Sequence, residues 1–128
     1  MAERLIIDAG GVIGFARGDR VIRAAIERAA ADGLRLVVPP AVVTQTVRGG
    51  GRDALIHRLL GGCVVPPVDL RVARIAGELL GRTGGTDVAD AQIAAEAISG
   101  GPAVVLTGGV DDLALLVDGF EGVRLQPI

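Results

Sequence analysis

Short apolar runs alternate with helical repeats along this chain, which is the pattern of an α/β protein. The apolar runs are rich in Val, Ile and Leu and lie at residues 5–7, 36–38, 63–65, 103–106 and 123–125. Continuous apolar strands that alternate with helices indicate a parallel sheet covered on both faces. We therefore predict a three-layer, Rossmann-like α/β fold with a five-stranded parallel sheet flanked by helices.

Capping residues and apolar spacing predict the helices between these strands. Asp19 and Asp69 stand where an N-capping side chain is favoured. After Asp69, apolar residues at helical spacing predict one buried face, formed by Val72, Ile75, Ala76, Leu79 and Leu80. Another helix is predicted over about residues 87–98. The Gly10–Gly11 pair predicts a tight turn after the first strand.

Composition excludes several classes of function. The 128 residues predict one domain over 1–128, with half of the chain hydrophobic and a net charge of −2. There is no Lys, Trp or Tyr, and there is one Cys and one His. These counts exclude a Walker P-loop, a structural zinc site, a disulfide framework and an aromatic RNA-stacking platform. The apolar runs are too short to cross a bilayer, so we expect a cytoplasmic protein with no membrane partner.

Asp8 directly follows the first predicted strand. In open parallel sheets, functional sites lie at the carboxyl ends of the strands. Asp8 and residues 107–109, after the fourth strand, are two such positions. Two interpretations of Asp8 remain open: its side chain accepts hydrogen bonds from the amides of the glycine turn, or it is a carboxylate of the active edge.

Asp87 and Asp90 are three residues apart and share one face of a predicted helix. Asp87 stands at the start of this helix, where an acid can act as a cap. Asp90 is surrounded by Ala, Val and Ile, and a carboxylate in such a setting needs a cationic partner. No basic residue is nearby in the sequence, so a divalent ion is the partner that this pattern favours.

Asp111 and Asp112 begin the helix after the fourth strand. Two roles are open for them: they stabilise the first turn of that helix, or they are further acids of a site near Asp8. Carboxylates that converge without His or Cys suit Mg²⁺ or Mn²⁺. Such an ion can organise the attack of water on a phosphodiester. Phosphodiester hydrolysis is therefore the reaction class that this set of residues supports.

The sequence resembles the PIN-domain family, and within it the VapC-type toxins of bacterial toxin–antitoxin pairs. The resemblance covers nearly the whole chain. It depends on the order and spacing of the segments LIIDAG, VVPPAVVTQTVRGG, AGELLGRTGGTDVADAQIA, VVLTGGVDDL and VRLQPI. It implies a PIN-like fold with the first and fourth strands adjacent at the site. It also implies a ribonuclease that depends on Mg²⁺ or Mn²⁺ and is inhibited by a bound antitoxin protein; we further expect a homodimer.

Carried over residue by residue, the resemblance implies a set of site residues. Asp8, Asp87 and Asp90 would be catalytic, and the same three would bind the metal together with Asp112. Gln45 and Thr107 would contact the RNA. Apart from the resemblance, Arg48 and Arg82 are candidates to bind RNA phosphates, because they follow the helix of Gln45 and precede Asp87; the alternative is that they are solvated surface residues.

The sequence departs from the family pattern at two positions. Gln45 stands where the family has Glu, and Gly109 stands two residues after Thr107, where the family has Asp or Asn. Either neighbouring acids compensate, Asp87 for Gln45 and one of the pair 111–112 for Gly109, or metal affinity is weakened.

Three functions follow as alternatives. The first is a metal-dependent endoribonuclease of the toxin type. The second is a catalytically degraded PIN domain that binds RNA or an antitoxin. The third, a phosphoreceiver domain, is disfavoured because the chain has no Lys and because its third strand ends in Pro66–Pro67 instead of an acceptor Asp.

Overall fold

A parallel β-sheet forms the centre of the protein in a computed structural model that describes residues 3–128. Its strands are β1 (Arg4–Ile7), β2 (Arg35–Val37), β3 (Ala103–Thr107) and β4 (Val123–Pro127). The order across the sheet is β2-β1-β3-β4, and every pairing is parallel. β1 and β3, the first and fourth of the predicted strands, are therefore neighbours, and the predicted parallel α/β fold is confirmed.

The prediction of five strands is wrong, because residues 63–65 do not form a full strand. Only Val64 pairs with the edge of the sheet, through a single parallel bridge. Its carbonyl accepts a hydrogen bond from Val38 N at 2.9 Å, and its own amide donates to Leu36 O at 2.8 Å. Pro66 lacks an amide hydrogen and follows within two residues, so pairing stops after these two hydrogen bonds.

The helices within residues 3–128 are capped largely as the sequence predicts. Asp19 accepts from Ile22 N, and Asp69 accepts from Val72 N. No helix in this part of the chain is long and apolar enough to cross a membrane. In chain order the helices are α1 (Ala9–Ala16), α2 (Arg20–Ala31), α3 (Pro40–Thr46), a 3₁₀ turn (Gly51–Asp53), α4 (Ala54–Gly61), α5 (Leu70–Thr83), α6 (Val88–Ser99) and α7 (Val110–Leu116).

Both faces of the sheet are covered. Ile7 and Leu106 point toward α1, since both lie beside the position that a Cβ on Gly11 would occupy. Side chains alternate along a strand, so Ile6 and Val105 point to the opposite face. They are also buried, on the side where α6 packs on β3 and α7 packs on β4. The protein therefore has the predicted three layers.

Helix α1 was not expected from the sequence, because Gly10 and Gly11 predicted a turn. The expectation of a tight turn is wrong: both glycines lie inside α1. A Cβ added to Gly11 would lie 2.6 Å from Ile7 Cγ2, and one added to Gly14 would overlap Ile22. The glycines thus allow α1 to pack closely on β1 and α2, and this packing outweighs their low helix propensity.

This close packing predicts that a methyl group at position 11 destabilises the fold. We expect Gly11→Ala to lower the free energy of unfolding by about 1–3 kcal/mol, as overpacked cores do. Gly77 is the matched control, because it lies exposed in α5 with no atom within 4 Å of its added Cβ. Gly77→Ala should raise stability by up to about 1 kcal/mol. Equal effects of the two substitutions in chemical denaturation would contradict this account of α1.

Candidate active site

Asp8 connects three parts of the fold at the carboxyl edge of the sheet. It follows β1 directly and is the N-cap of α1, where its Oδ1 accepts from Gly11 N at 3.0 Å. Its Oδ2 accepts from Gly108 N, in the loop after β3, at 3.1 Å. Both interpretations of Asp8 therefore describe its position: the carboxylate caps a helix and lies where the ends of two neighbouring strands meet.

Asp87 and Asp90 lie at the start of α6. Asp87 is the N-cap, and its Oδ1 accepts from Asp90 N at 2.9 Å. Asp90 follows in the first turn and is half-buried. Burial raises the pKa of Asp90 to about 6, with further contributions from the negative charges of Asp87, Asp112 and Asp8. The charges of three acids, two of them from elements other than α6, thus act on Asp90.

Two neighbouring clefts share Asp112. The first, here called the acidic cleft, has a volume of about 220 Å³ and contains Asp87, Asp90 and Asp112 together with Leu80, Thr83, Gly85, Thr86, Leu115 and Leu116. The second has a volume of about 420 Å³ and borders the loop after β3, including Gly109 and Asp111. Asp112 is therefore the member of the 111–112 pair that lies beside Asp87 and Asp90.

These acids fit a partly hydrated divalent cation better than a closed protein cage. Within residues 3–128, no group of three His, Cys, Asp or Glu side chains comes together as a ready-made metal cluster. Mg²⁺ commonly keeps several waters and binds through one or two carboxylates. Burial is the main cause of the raised pKa of Asp90, and the charges of Asp87, Asp112 and Asp8 raise it further. A bound cation would offset those charges.

Thr107 and Gln45 have different settings. Thr107 ends β3, is almost fully buried, and its Oγ1 accepts from Gly109 N at 2.8 Å. It therefore shapes the loop beside Asp8. Gln45 is exposed on α3, and its side chain makes no hydrogen bond within residues 3–128. Its contact with RNA stays a prediction.

Arg48 and Arg82 both donate hydrogen bonds to backbone carbonyl oxygens. The Arg48 guanidinium donates to the carbonyl oxygens of three residues at the end of α3, each at 2.9 Å: Thr44, Gln45 and Val47. Arg82 Nη2 donates to Leu116 O at 2.8 Å, and its guanidinium lies 5.6 Å from the ring centre of Phe120. Both arginines therefore stabilise helix ends, and their predicted contact with RNA would need these bonds to be shared or broken.

Sequence reasoning missed the apolar wall of the acidic cleft and the amide of Gly108. Leu113 and Leu116 are buried in α7, whereas Leu115 is 67% exposed. A leucine off the buried face of a helix is a signal that helical periodicity could have revealed. The hydrogen bond from Gly108 to Asp8 has no comparable signal, because it joins residues 100 positions apart.

The acid group predicts an unusual pH dependence of stability. The pKa of folded Asp90 is about 6, whereas an unfolded Asp titrates near ~3.9. Between these values the folded state holds a proton that the unfolded state releases, so the free energy of unfolding falls as pH rises. Because Asp90 is partly exposed, we expect solvent screening to limit the fall to about 1 kcal/mol.

The measurement compares metal-free wild type with Asp90→Asn from about pH 4 to 7. The comparison is needed because other carboxyls titrate too. The hydrogen bond from the Gly49 amide, for example, lowers the pKa of Asp53. The contribution of Asp53 to the free energy of unfolding therefore has the opposite pH dependence, because it is lost as the pH falls. The fall should be absent in Asp90→Asn, and an equal fall in both proteins would contradict the assignment.

No protein-family model matches the sequence, and no curated protein matches it at a significant level. Solved structures do match. A chain of the VapBC2 complex from Rickettsia felis, bound to a DNA fragment from its promoter, superposes with a TM-score of 0.73 at 13% identity, over 97% of this chain and 98% of that one.

Two further structures give the same result. A chain of VapBC-1 from nontypeable Haemophilus influenzae matches with a TM-score of 0.69 at 18% identity, over 96% of each chain. A chain of FitAcB from Neisseria gonorrhoeae matches with a TM-score of 0.62 at 18% identity, over 94% of this chain and 95% of that one. The structural neighbours of this chain are thus PIN-domain components of VapBC and FitAB toxin–antitoxin complexes, and the fold it shares with them is the PIN-like α/β fold.

Proposed function

We propose that this protein is an endoribonuclease that depends on Mg²⁺ or Mn²⁺ and serves as the toxin of a toxin–antitoxin pair. The observation that carries the proposal is the grouping of Asp8, Asp87, Asp90 and Asp112 at the carboxyl edge of the sheet. Burial raises the pKa of Asp90, and the negative charges of the other three raise it further. Carboxylates without His or Cys are suited to a hard divalent cation and to phosphodiester hydrolysis.

One or two of the carboxylates Asp8, Asp90 and Asp112 would hold a partly hydrated cation, with Asp87 beside them. When bound, the ion would neutralise the carboxylates and stabilise negative charge that develops on the phosphate. The two amides that donate to Asp8, from Gly11 and Gly108, fix the direction of its carboxylate. Asp87 Oδ1 is held by the amide of Asp90, while its Oδ2 makes no hydrogen bond within residues 3–128.

In the proposed reaction, a water oxygen attacks phosphorus and the P–O bond to the next nucleoside breaks. A carboxylate of the group takes the proton that the water loses, and solvent returns a proton to the leaving oxygen.

We also propose a protein partner. The structural neighbours are components of VapBC and FitAB complexes, and by analogy this chain would be inhibited by a cognate antitoxin. A homodimer and a cytoplasmic location belong to the same proposal. Co-expression with the product of an adjacent small gene, followed by size-exclusion chromatography, tests the pairing: a stable complex supports it, and separate elution contradicts it.

The nuclease proposal is tested by incubating the purified protein with single-stranded RNA. Cleavage should require Mg²⁺ or Mn²⁺ and should stop on chelation. It should also be lost in Asp8→Asn, because asparagine keeps one oxygen for the Gly11 amide but loses the charge and the oxygen that accepts from Gly108 N; thermal melting establishes that the variant is folded. Cleavage that persists in the variant, or in the presence of a chelator, would overturn the proposal.

A second candidate function is a degraded PIN domain that acts by binding. It is favoured by the absence of a three-acid cluster within residues 3–128 and by Gly109, which supplies no side-chain oxygen. Gly109 has φ −116°, so its backbone accepts other residues. Gly109→Asp should therefore fold, bind Mn²⁺ about tenfold more tightly and cleave RNA faster. If a well-folded variant gains neither, the binding function is the better account.

A further inference from the structure

We propose that the acidic cleft binds one unpaired guanine base of the RNA substrate, next to the phosphodiester that is cut. This inference rests on the proposed ribonuclease function and adds a base preference to it. The cleft lies between the end of α5, the start of α6 and the exposed side of α7. It therefore contains Asp87, Asp90 and Asp112 of the acid group, whereas Asp8 lies outside it.

The cleft has an apolar wall that the acids alone do not explain. Leu80, Leu115 and Leu116 form this wall, and Leu115 is 67% exposed. The cleft volume is about 220 Å³, the share of about seven liquid waters, which gives room for one planar ring and not for a folded segment. Stacking a base against leucine would remove apolar area of both from water.

The opposite rim is polar and accepts hydrogen bonds. Asp87 is exposed at this rim, with Oδ2 free of protein partners within residues 3–128. Thr86 lies beside it and also makes no side-chain hydrogen bond in this part of the chain. Thr83 is already engaged, since its Oγ1 donates to Leu79 O and accepts from Gly85 N. The rim thus offers a carboxylate and one hydroxyl to the edge of a base.

Guanine is the base whose Watson–Crick edge complements a carboxylate. Its N1–H and N2 amino group are adjacent donors, and a carboxylate is an acceptor with two oxygens. Adenine presents an acceptor at N1, and cytosine and uracil each present a single donor beside acceptors. The edge is free only in unpaired RNA, which is where proteins read RNA bases.

The cleft adjoins the proposed cation site. Asp90 and Asp112 belong both to the cleft and to the proposed cation site. A phosphodiester held there carries a base one sugar away, so a neighbouring base reaches the leucine wall. A basic side chain of a protein partner would pair with the acids but would cover less of the wall, and this occupant is the contrary outcome of the test.

The experiment maps cut sites in a random pool of single-stranded RNA with Mn²⁺, by sequencing the product ends. Guanine should be enriched at one position beside the cut. In a defined substrate, replacing that guanine with inosine removes the N2 amino group and should lower kcat/KM about fivefold, the effect of one hydrogen bond. Asp87→Asn replaces one acceptor oxygen with a donor and should abolish the preference in the cleavage that remains.

Leu115→Ala tests the apolar wall, and Leu70→Ala is its matched control. The two leucines are 67% and 65% exposed, and Leu70 lies at the start of α5, away from the cleft. Leu115→Ala should reduce guanine enrichment about fivefold or more, whereas Leu70→Ala should leave it unchanged.

The outcomes separate the two proposals. Cleavage without a guanine preference, or a preference kept in Leu115→Ala, overturns the guanine site and leaves the ribonuclease proposal intact; the cleft would then belong to another occupant, such as a basic side chain of a partner. Failure of the wild type to cut any RNA with either ion overturns the ribonuclease function and, with it, the guanine site.

Discussion

Asp90→Asn should reduce metal-dependent RNA cleavage by about a hundred- to a thousandfold while the protein stays folded. The reason is that Asp90 lies at the centre of the acid group, where Asp87, Asp112 and Asp8 all act on its pKa. Asparagine keeps the shape and one oxygen but removes the charge that attracts a cation and accepts a proton. Single-turnover cleavage of a short RNA at saturating Mn²⁺ gives the rate.

The matched control is Asp118→Asn, since Asp118 is exposed just beyond α7 and does not line the acidic cleft. It should cleave at the wild-type rate. Circular dichroism and thermal melting establish that both variants are folded. A fully active Asp90→Asn protein would remove Asp90 from the catalytic group and would leave the acid cluster with a structural role only.

Arg4→Met should have the largest effect on stability, lowering the free energy of unfolding by about 3 kcal/mol. Arg4 begins β1 and is 2% exposed. Its guanidinium donates to three carbonyl oxygens at the end of α6, at 2.9–3.0 Å: Glu96 O, Ala97 O and Gly101 O. It also lies 3.4 Å from the Glu96 carboxylate. Methionine would fill the space but would leave these acceptors unpaired.

The contact of Arg4 also helps to position the site residues, because it joins the start of β1 to the end of α6. Asp8 follows the other end of β1, and Asp90 lies in the first turn of α6. The control is Arg124→Met, which removes the ion pair with Glu3. That pair is closer, at 3.0 Å, but its side chains are 67% and 39% exposed. Exposed pairs contribute less than about 1 kcal/mol. Urea denaturation should separate the two variants clearly, and equal losses would contradict the account of Arg4.

The sheet and the acid group could be predicted because both follow from local patterns. Apolar runs bounded by Gly, Pro or Asp predict the strands, and β1 and β3 are parallel neighbours, as the resemblance implies. Asp8 was placed by its position after a strand. Asp90 could be singled out because it is an acid with apolar neighbours in the sequence. Burial does raise its pKa, which agrees with that reasoning.

Other features depend on contacts between distant residues, which a local pattern does not contain. Helix α1 contains Gly11 because Ile7 and Leu106 lie against it. The third predicted strand has the right composition, but the prolines that follow it limit Val64 to one bridge. Arg48 and Arg82 were expected to face RNA, yet carbonyl groups at helix ends occupy them. Their local sequence gives no indication of these partners.

Calorimetric titration with Mn²⁺ measures whether acids from separate elements form one divalent-cation site. The proteins compared are the wild type and the double variant Asp8→Asn/Asp90→Asn, both shown by melting to be folded. Wild type should bind Mn²⁺ in a saturable manner, and the double variant should bind it at least about tenfold more weakly. Equal binding by the two proteins would contradict the account.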